Sequence, residues 1–405
     1  MDMISVEEAE GIIFSHSSDY GAEEIFYENA LGRVLAEDLR TDRHLPPFNR
    51  PTVDGIALLF SSIEKGITRF RIRAIQAAGE APVPVTGESE CVEIMTGAAL
   101  DTSADTVIRY EDLVINEGWA EIRTDPATIR KGQNIHSKGK DKKQGEILVP
   151  AHQSITPAIL GIAASVGKTI LRVRKLPKVV IISTGDEMVS PETAPNDFQL
   201  RRSNGTTVRS VLEKYKVSAD LLHLNDDPDE IREALRHCLE EYDILLICGG
   251  VSMGKFDFVP RVLEELGTIK LFHKIKQRPG KPFWFGKTQP GRLIFAFPGN
   301  PVSVFMCLHR YFVPWLEKSL GIPISNPVYA ILQNDVTFPA PLQYFTQVRL
   351  RVSPAGQLLA ETMDTNGSGD FSHLAEAHAF MELPADKNQF KKGEVYQVWP
   401  YAFLT

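Results

Sequence analysis

Several familiar signals are scarce or missing in this chain. Four cysteines occur in 405 residues, Cys91, Cys238, Cys248 and Cys307, and no pair has Cys-x-x-Cys spacing. That argues against a disulfide framework and for reduced, buried thiols. The ten histidines form no His-x-x-x-His or His-x-x-Glu-His run, so nothing marks a zinc site. No apolar run approaches the roughly 18 residues of a membrane span. The opening Met1–Glu10 is acidic and has no apolar segment, so neither a secretory signal nor a membrane partner is expected, and the location read is cytoplasmic. Basic residues are outnumbered, 44 against 52 acids, for a net charge of -8. An acidic chain is a poor prior for nucleic-acid binding, although a local pocket can still be basic. There is no internal repeat.

What is present is ordinary globular composition, 43% hydrophobic and 24% charged, at a length that suits about two to four domains. Residues 1–43 read as helix, with Val6, Ala9, Ile12 and Ile13 at helical spacing. The stretch Ala30–Leu39 reads as a second short helix or a strand. His44-Leu-Pro-Pro-Phe-Asn-Arg-Pro51 then stops any helix. Residues 45–144 are β-rich, and 151–173 return to a helix and a strand. From 174 to 322 apolar strands alternate with amphipathic helices, the pattern of a doubly wound parallel sheet. Its last helix is read as Pro301–Leu316. Residues 323–405 are β-rich again. The expected architecture is therefore α/β and multidomain. It has a discontinuous segment 1–44 plus 145–173, a small β domain 45–144 inserted in it, an α/β domain 174–322 and a C-terminal β domain 323–405.

Ligands of such sheets sit at the carboxyl ends of the strands, and there the loops are unusual. Strand 178–182 leads to Ser183-Thr184-Gly185-Asp186-Glu187. Strand 244–248 leads to Gly249-Gly250-Val251-Ser252-Met-Gly254-Lys255-Phe-Asp257, and strand 293–297 to Pro298-Gly299-Asn300-Pro301. Glycines let backbone N–H groups approach a ligand, and helices starting after the loops add their positive ends. Asn300 is positioned to cap such a helix, with Pro301 in its first turn. The sum suits an anion, best a phosphate ester, with Arg278 and Lys281 as formal cations. Asp186, Glu187 and Asp257 would repel that anion unless a cation such as Mg²⁺ bridges them, which makes the three acids candidate metal ligands. The β-rich stretch carries its own odd loops, Val53-Asp54-Gly55, Met95-Thr96-Gly97-Ala98 and Gln133–Asp141. The run Arg130–Lys143 holds six Lys or Arg, read equally as a solvated loop or an anion-facing one.

Taken in order, Pro-Pro-Phe48…Val53-Asp54-Gly55, Met95-Thr96-Gly97-Ala98, Gln133-Asn-Ile…Gly139…Asp141, Ser183-Thr-Gly-Asp-Glu187, Gly249-Gly-Val-Ser252, Pro279-Gly-Lys-Pro-Phe283 and Pro298-Gly-Asn-Pro-Val-Ser303 resemble the molybdopterin molybdenumtransferases, the family that includes the gephyrin E domain. The resemblance spans essentially the whole chain. It implies an elongated homodimer of four-domain subunits, with adenylylated molybdopterin and molybdate as substrates. It also implies Mg²⁺-dependent cleavage of a phosphoanhydride with release of AMP, and a molybdopterin adenylyltransferase as the upstream partner. By motif match, Asp54, Thr96 and Asp141 face Glu187 and Asp257 as catalytic groups. Thr184, Gly185, Asp186, Ser203, Asn204, Gly249, Gly250, Val251, Ser252, Gly254, Pro298, Gly299, Asn300 and Pro301 would hold the pterin substrate. Arg278, Lys281 and Ser368 match positions that hold molybdate.

The chain departs from the family pattern at four places. Arg202-Ser203-Asn204 stands where Asp-Thr-Asn is usual, Lys140 and Lys255 replace acids, and Gln347 stands where an arginine is expected, with Arg349 two positions on. The competing readings are a catalytically impaired molybdopterin-binding or scaffold protein, and an enzyme of the preceding adenylylation step. The modules at 45–144 and 323–405 weigh against the latter.

Overall fold

The computed structural model describes residues 3–252, 257–289, 291–323, 326–339, 341–364 and 367–402. The chain forms two compact units. One comprises 1–36, 152–156 and 170–405, and the other 37–151 and 157–169.

The first unit is built on a six-stranded sheet. Its order is Ala219–Leu224, Val179–Thr184, Ile244–Cys248, Leu293–Phe297, Trp284–Lys287 and Ile269–His273. The first four strands are mutually parallel, as the continuous apolar runs predict. The last two are antiparallel additions, so the sheet is mixed at one edge. Ile244–Cys248 and Leu293–Phe297 are buried at every residue because helices cover both faces. Val208, Val211 and Leu212 of helix Asn204–Lys214 pack on one face. Ile231, Leu235 and Cys238 of helix Pro228–Glu241 pack on the other.

The expected single helix Pro301–Leu316 is instead three segments. An α-helix Pro301–Cys307 passes through a π turn, Leu308–Phe312, into an α-helix Val313–Ser319. Pro314 supplies the reason, since it has no N–H to donate and its ring crowds the carbonyl four residues back. The reading of residues 1–43 as helix holds only for Val6–Ser15, which a Ser5–Glu8 capping box opens. Gly21 then takes φ +85°, and Ala22–Phe26 becomes a strand paired antiparallel with Ile170–Arg174.

The C-terminal strands Val328–Leu332, Gln343–Val352, Leu358–Thr362, Ala379–Leu383 and Val395–Pro400 close into a small barrel. The long strand Gln343–Val352 makes closure possible. Its second half pairs with Leu358–Thr362 and its first half with Ala379–Leu383. Gln277–Arg278 adds to the start of that long strand, so Arg278 rides on the barrel edge.

The second unit carries another six-stranded sheet, ordered Thr106–Arg109, Gly55–Leu58, Glu90–Ile94, Arg69–Gln76, Trp119–Ile122 and Leu113–Asn116. Its residues alternate between two cores. Ile56, Leu58, Cys91 and Ile108 face one, and Ala57, Val92 and Val107 face the other. All four cysteines of the chain are free and buried.

Candidate functional site

Because the four parallel strands of the first unit's large sheet run the same way, their carboxyl ends meet along one edge. A cleft of about 1050 Å³ opens there. Thr184 and Cys248, the last residues of their strands, line it, together with Gly185, Glu187, Ser203, Asn204, Gly249, Gly250, Val251, Ser252, Asp257, Pro298, Gly299, Asn300 and Pro301. The strand-end loops expected to hold a ligand are thus brought together. Gly254 and Lys255 lie outside the described residues.

The glycine loop has a steric cause. Gly250 has φ +66°, and a Cβ there would meet Thr184 Oγ1 and Val259 Cγ2, each at 2.8 Å. Only glycine lets the loop lie against the strand end. Asn204 is buried and donates to Gly299 O at 2.7 Å, tying the start of its helix to the third loop. Asn300 occupies the N-cap position but makes no side-chain cap. Its amide instead donates to Ser368 Oγ at 2.8 Å. The Val302 N–H is met by the Ser368 carbonyl at 3.3 Å. Ser368 therefore stands at the rim beside Gly369 and Phe371, which line the cleft.

Arg278 and Lys281 are exposed and do not line the cleft, although Pro282 does. The antiparallel strand Trp284–Lys287 explains the proximity, since its start lies at the edge where its parallel neighbours end. The loop before it is anchored by buried Gln277, which donates to Gly280 O at 3.1 Å and accepts from the Tyr311 hydroxyl. The Arg278 guanidinium sits over Phe338 at 5.8 Å.

Acids mark one side of the cleft. Glu187 and Asp257 line it, and so does Asp226, which the motif reading did not single out. Asp226 follows the edge strand Ala219–Leu224, so the rule that picked the other loops would have found it. Burial raises the Asp226 carboxyl above its ordinary range, and the nearby charges of Asp186, Glu187 and Asp257 raise it further. Asp186 is not in the lining. Its Oδ1 accepts the Asp226 N–H at 2.9 Å, so it shapes the acid loop. Among the described residues no group of three or more His, Cys, Asp or Glu could hold a metal alone. The donor chemistry still suits a hard cation such as Mg²⁺, which usually takes one or two carboxylates and completes its shell with phosphate oxygens and water.

Arg201 and Arg202 are the cations of the lining. His223 lies nearby, 3.1 Å from Ser183 Oγ, and burial, then the Arg202 charge, lowers its pKa. The departure at Gln347 lies outside the lining. Gln347 is buried in the barrel, and Arg349 pairs with Glu376 at 2.7 Å.

The second unit gathers its own motif loops. Gly55 is obligatory, because a Cβ there would fall 1.8 Å from Ile108 O. Asp54 beside it accepts the Thr96 N–H at 2.6 Å. Asp141 Oδ1 lies 2.8 Å from His136 Nε2, and its loop is pinned to the proline segment by Asp141 N–H to Leu45 O at 2.9 Å and Gly139 N–H to Pro46 O at 2.9 Å. Asp54, Thr96, Lys140 and Asp141 are exposed.

This fold and cleft define a multidomain α/β protein that can hold an anionic ligand against a set of acids. Residues 4–167 match the family model of the MoeA N-terminal region (domain I and II), 180–318 that of a probable molybdopterin binding domain, and 329–401 that of the MoeA C-terminal region (domain IV). A molybdopterin molybdenumtransferase from Synechocystis is 36% identical, covering 98% of this chain and 100% of its own. A protein of the same name from Staphylococcus aureus is 28% identical over 98% of this chain and 95% of its own. The crystal structure of a molybdopterin biosynthesis protein, MoeA, from Pyrococcus horikoshii superposes with a TM-score of 0.83 at 26% identity, covering 99% of this chain and 100% of its own. The chain belongs to the molybdopterin molybdenumtransferase family.

Proposed function

We propose that this protein is a transferase of molybdenum cofactor biosynthesis. It takes adenylylated molybdopterin and molybdate, cleaves the phosphoanhydride with release of AMP, and leaves molybdenum on the dithiolene sulfurs. The observation that carries the reading is the cleft itself. Glycine loops and helix starts suited to phosphate share one cavity with Glu187, Asp226 and Asp257. Replacing molybdate oxygens by dithiolene sulfurs needs protons to turn the departing oxide into water, and carboxyls deliver them. Asp226, whose pKa is raised, retains its proton to higher pH than an ordinary carboxyl.

Glu187 and Asp257, with Asp226 near them, would hold Mg²⁺. When bound, the ion would neutralise phosphate charge and polarise the anhydride. Arg278, Lys281 and Ser368 carry donors that suit a tetrahedral dianion. Asp54, Thr96 and Asp141 complete the site from the partner subunit of a homodimer in this reading. Exposed Phe26 and Ile170, 64% and 46% accessible and opposite each other in register, support a protein contact on the first unit. The upstream partner is an adenylyltransferase that hands over the activated pterin. The retained acids favour turnover over an impaired binding protein.

The test is reconstitution. The protein is incubated with adenylylated molybdopterin, Mg²⁺ and molybdate, and the product is offered to a molybdoenzyme lacking its cofactor. Recovered activity that requires molybdate supports the reading, and tight pterin binding without recovery contradicts it.

A further inference from the structure

We infer that Arg202 is the residue by which this cleft distinguishes a phosphoanhydride from a single phosphate, an inference that rests on the function proposed above. Arg202 lines the cleft and is only partly exposed. Among the described residues its guanidinium makes no hydrogen bond or ion pair. Its charge is felt at longer range by His223 and Glu192. Its neighbour Arg201 is different, since its Nε donates to Thr193 O at 3.1 Å.

The Arg202 backbone is held in place. Its N–H donates to Val189 O at 2.9 Å, and the Leu200 N–H donates to Glu187 O at 2.8 Å. The short parallel pair Met188–Val189 and Leu200–Arg201 therefore fixes Glu187 at one end and Arg202 at the other. Two further donors in the cleft are unused among the described residues. Ser203 precedes the eleven-residue helix Asn204–Lys214 without capping it through its side chain. Thr184 is 6% exposed, and its hydroxyl has no hydrogen-bond partner among the described residues. A buried hydroxyl left unmatched costs free energy until a ligand meets it.

The acids Glu187, Asp226 and Asp257 suit a cation, which would offset the charge of one phosphate. The Arg202 guanidinium, the helix start after Ser203 and the Thr184 hydroxyl offer donors to further ligand oxygens. A ligand with one phosphate leaves part of this donor set unmet. An adenylylated pterin brings a second charged phosphate, and a guanidinium fork binds such a group through two parallel hydrogen bonds. The Arg in this chain supplies affinity for the activated substrate over its unactivated precursor.

The test compares the full-length protein with Arg202→Ala and Arg202→Lys, in Mg²⁺, by titration with molybdopterin, with adenylylated molybdopterin and with inorganic pyrophosphate. The wild type binds the adenylylated form more tightly than molybdopterin. Arg202→Ala weakens adenylylated-pterin and pyrophosphate binding about 10- to 100-fold and moves molybdopterin less than about threefold. Arg202→Lys, which keeps the charge and loses the fork, falls between them. Should the alanine protein fail to fold by circular dichroism, the lysine protein carries the comparison. Equal loss for both pterins, or no loss for either, overturns the inference and leaves the proposed function standing. A wild type that binds neither pterin removes the function as well.

Discussion

Asp257 and Gly250 bear most directly on the account at the scale of single residues. Asp257 lines the cleft from a loop and contributes to no apolar core. Asp257→Ala is expected to lower transfer at least about 100-fold, the lower end of what a proton-transfer group contributes, with an unchanged circular dichroism spectrum. Normal turnover by that variant would show that it takes no part in the chemistry. Gly250→Ala pushes a methyl into Thr184 and Val259 at a positive φ. It should weaken pterin binding and lower stability by roughly 1–3 kcal/mol, read by titration and denaturant unfolding. His309 tests a buried base. Its Nε2 has no partner among the described residues, and burial, then the charge of Lys214, holds its pKa at about 3 against an ordinary 6.5. The unfolded chain takes up a proton below about pH 6.5 that the folded chain refuses until about 3, so stability falls as pH drops through that window. His309→Phe should flatten this part of a plot of Tm against pH. An unchanged slope would place the acid lability elsewhere. Glu187, Asp257 and Asn204, all named by motifs, line the cleft, whereas the equally motif-named Asp186, Arg278 and Lys281 do not. Asp226 was passed over although it too follows a strand end, because its loop has no glycine to draw attention to it.

Elements read well where burial is two-sided. The run Ile244–Cys248 could only be an inner strand, and it is one. Elements read poorly where partners come from afar. Ala22–Phe26 is a strand because Ile170–Arg174 pairs with it, and nothing local announces a partner some 150 residues away. The antiparallel strand Trp284–Lys287 was hidden for a related reason, since parallel and antiparallel inner strands share one composition. The π turn Leu308–Phe312 carries its own prediction. It holds Arg310, with a side chain only 4% exposed, between Glu10 at 2.8 Å and Glu382 at 3.2 Å, with Trp399 stacked at 4.2 Å. This cluster joins the N-terminal helix, the α/β helix and the barrel. Arg310→Ala leaves two carboxylates without their cation and should cost about 3–5 kcal/mol. A loss under 1 kcal/mol in urea unfolding would mean that the packing alone holds these elements.

The whole molecule is two separately cored units whose motif loops are each assembled internally. The family resemblance was legible across the chain because its motifs recur in order, and the family models cover 4–167, 180–318 and 329–401. What a single chain does not carry is the pairing of subunits, and that makes a prediction. If the partner completes the cleft, light scattering should give twice the 405-residue mass. Mixing Asp54→Ala with Asp257→Ala protein should then restore part of the activity that each has lost. A monomer with full activity would refute the shared site. The central claim is transfer itself, and release of AMP from adenylylated molybdopterin in Mg²⁺, with and without molybdate, tests it most directly. The account predicts AMP release that rises sharply with molybdate and fails in Asp257→Ala. Bound pterin with no AMP under either condition would contradict it.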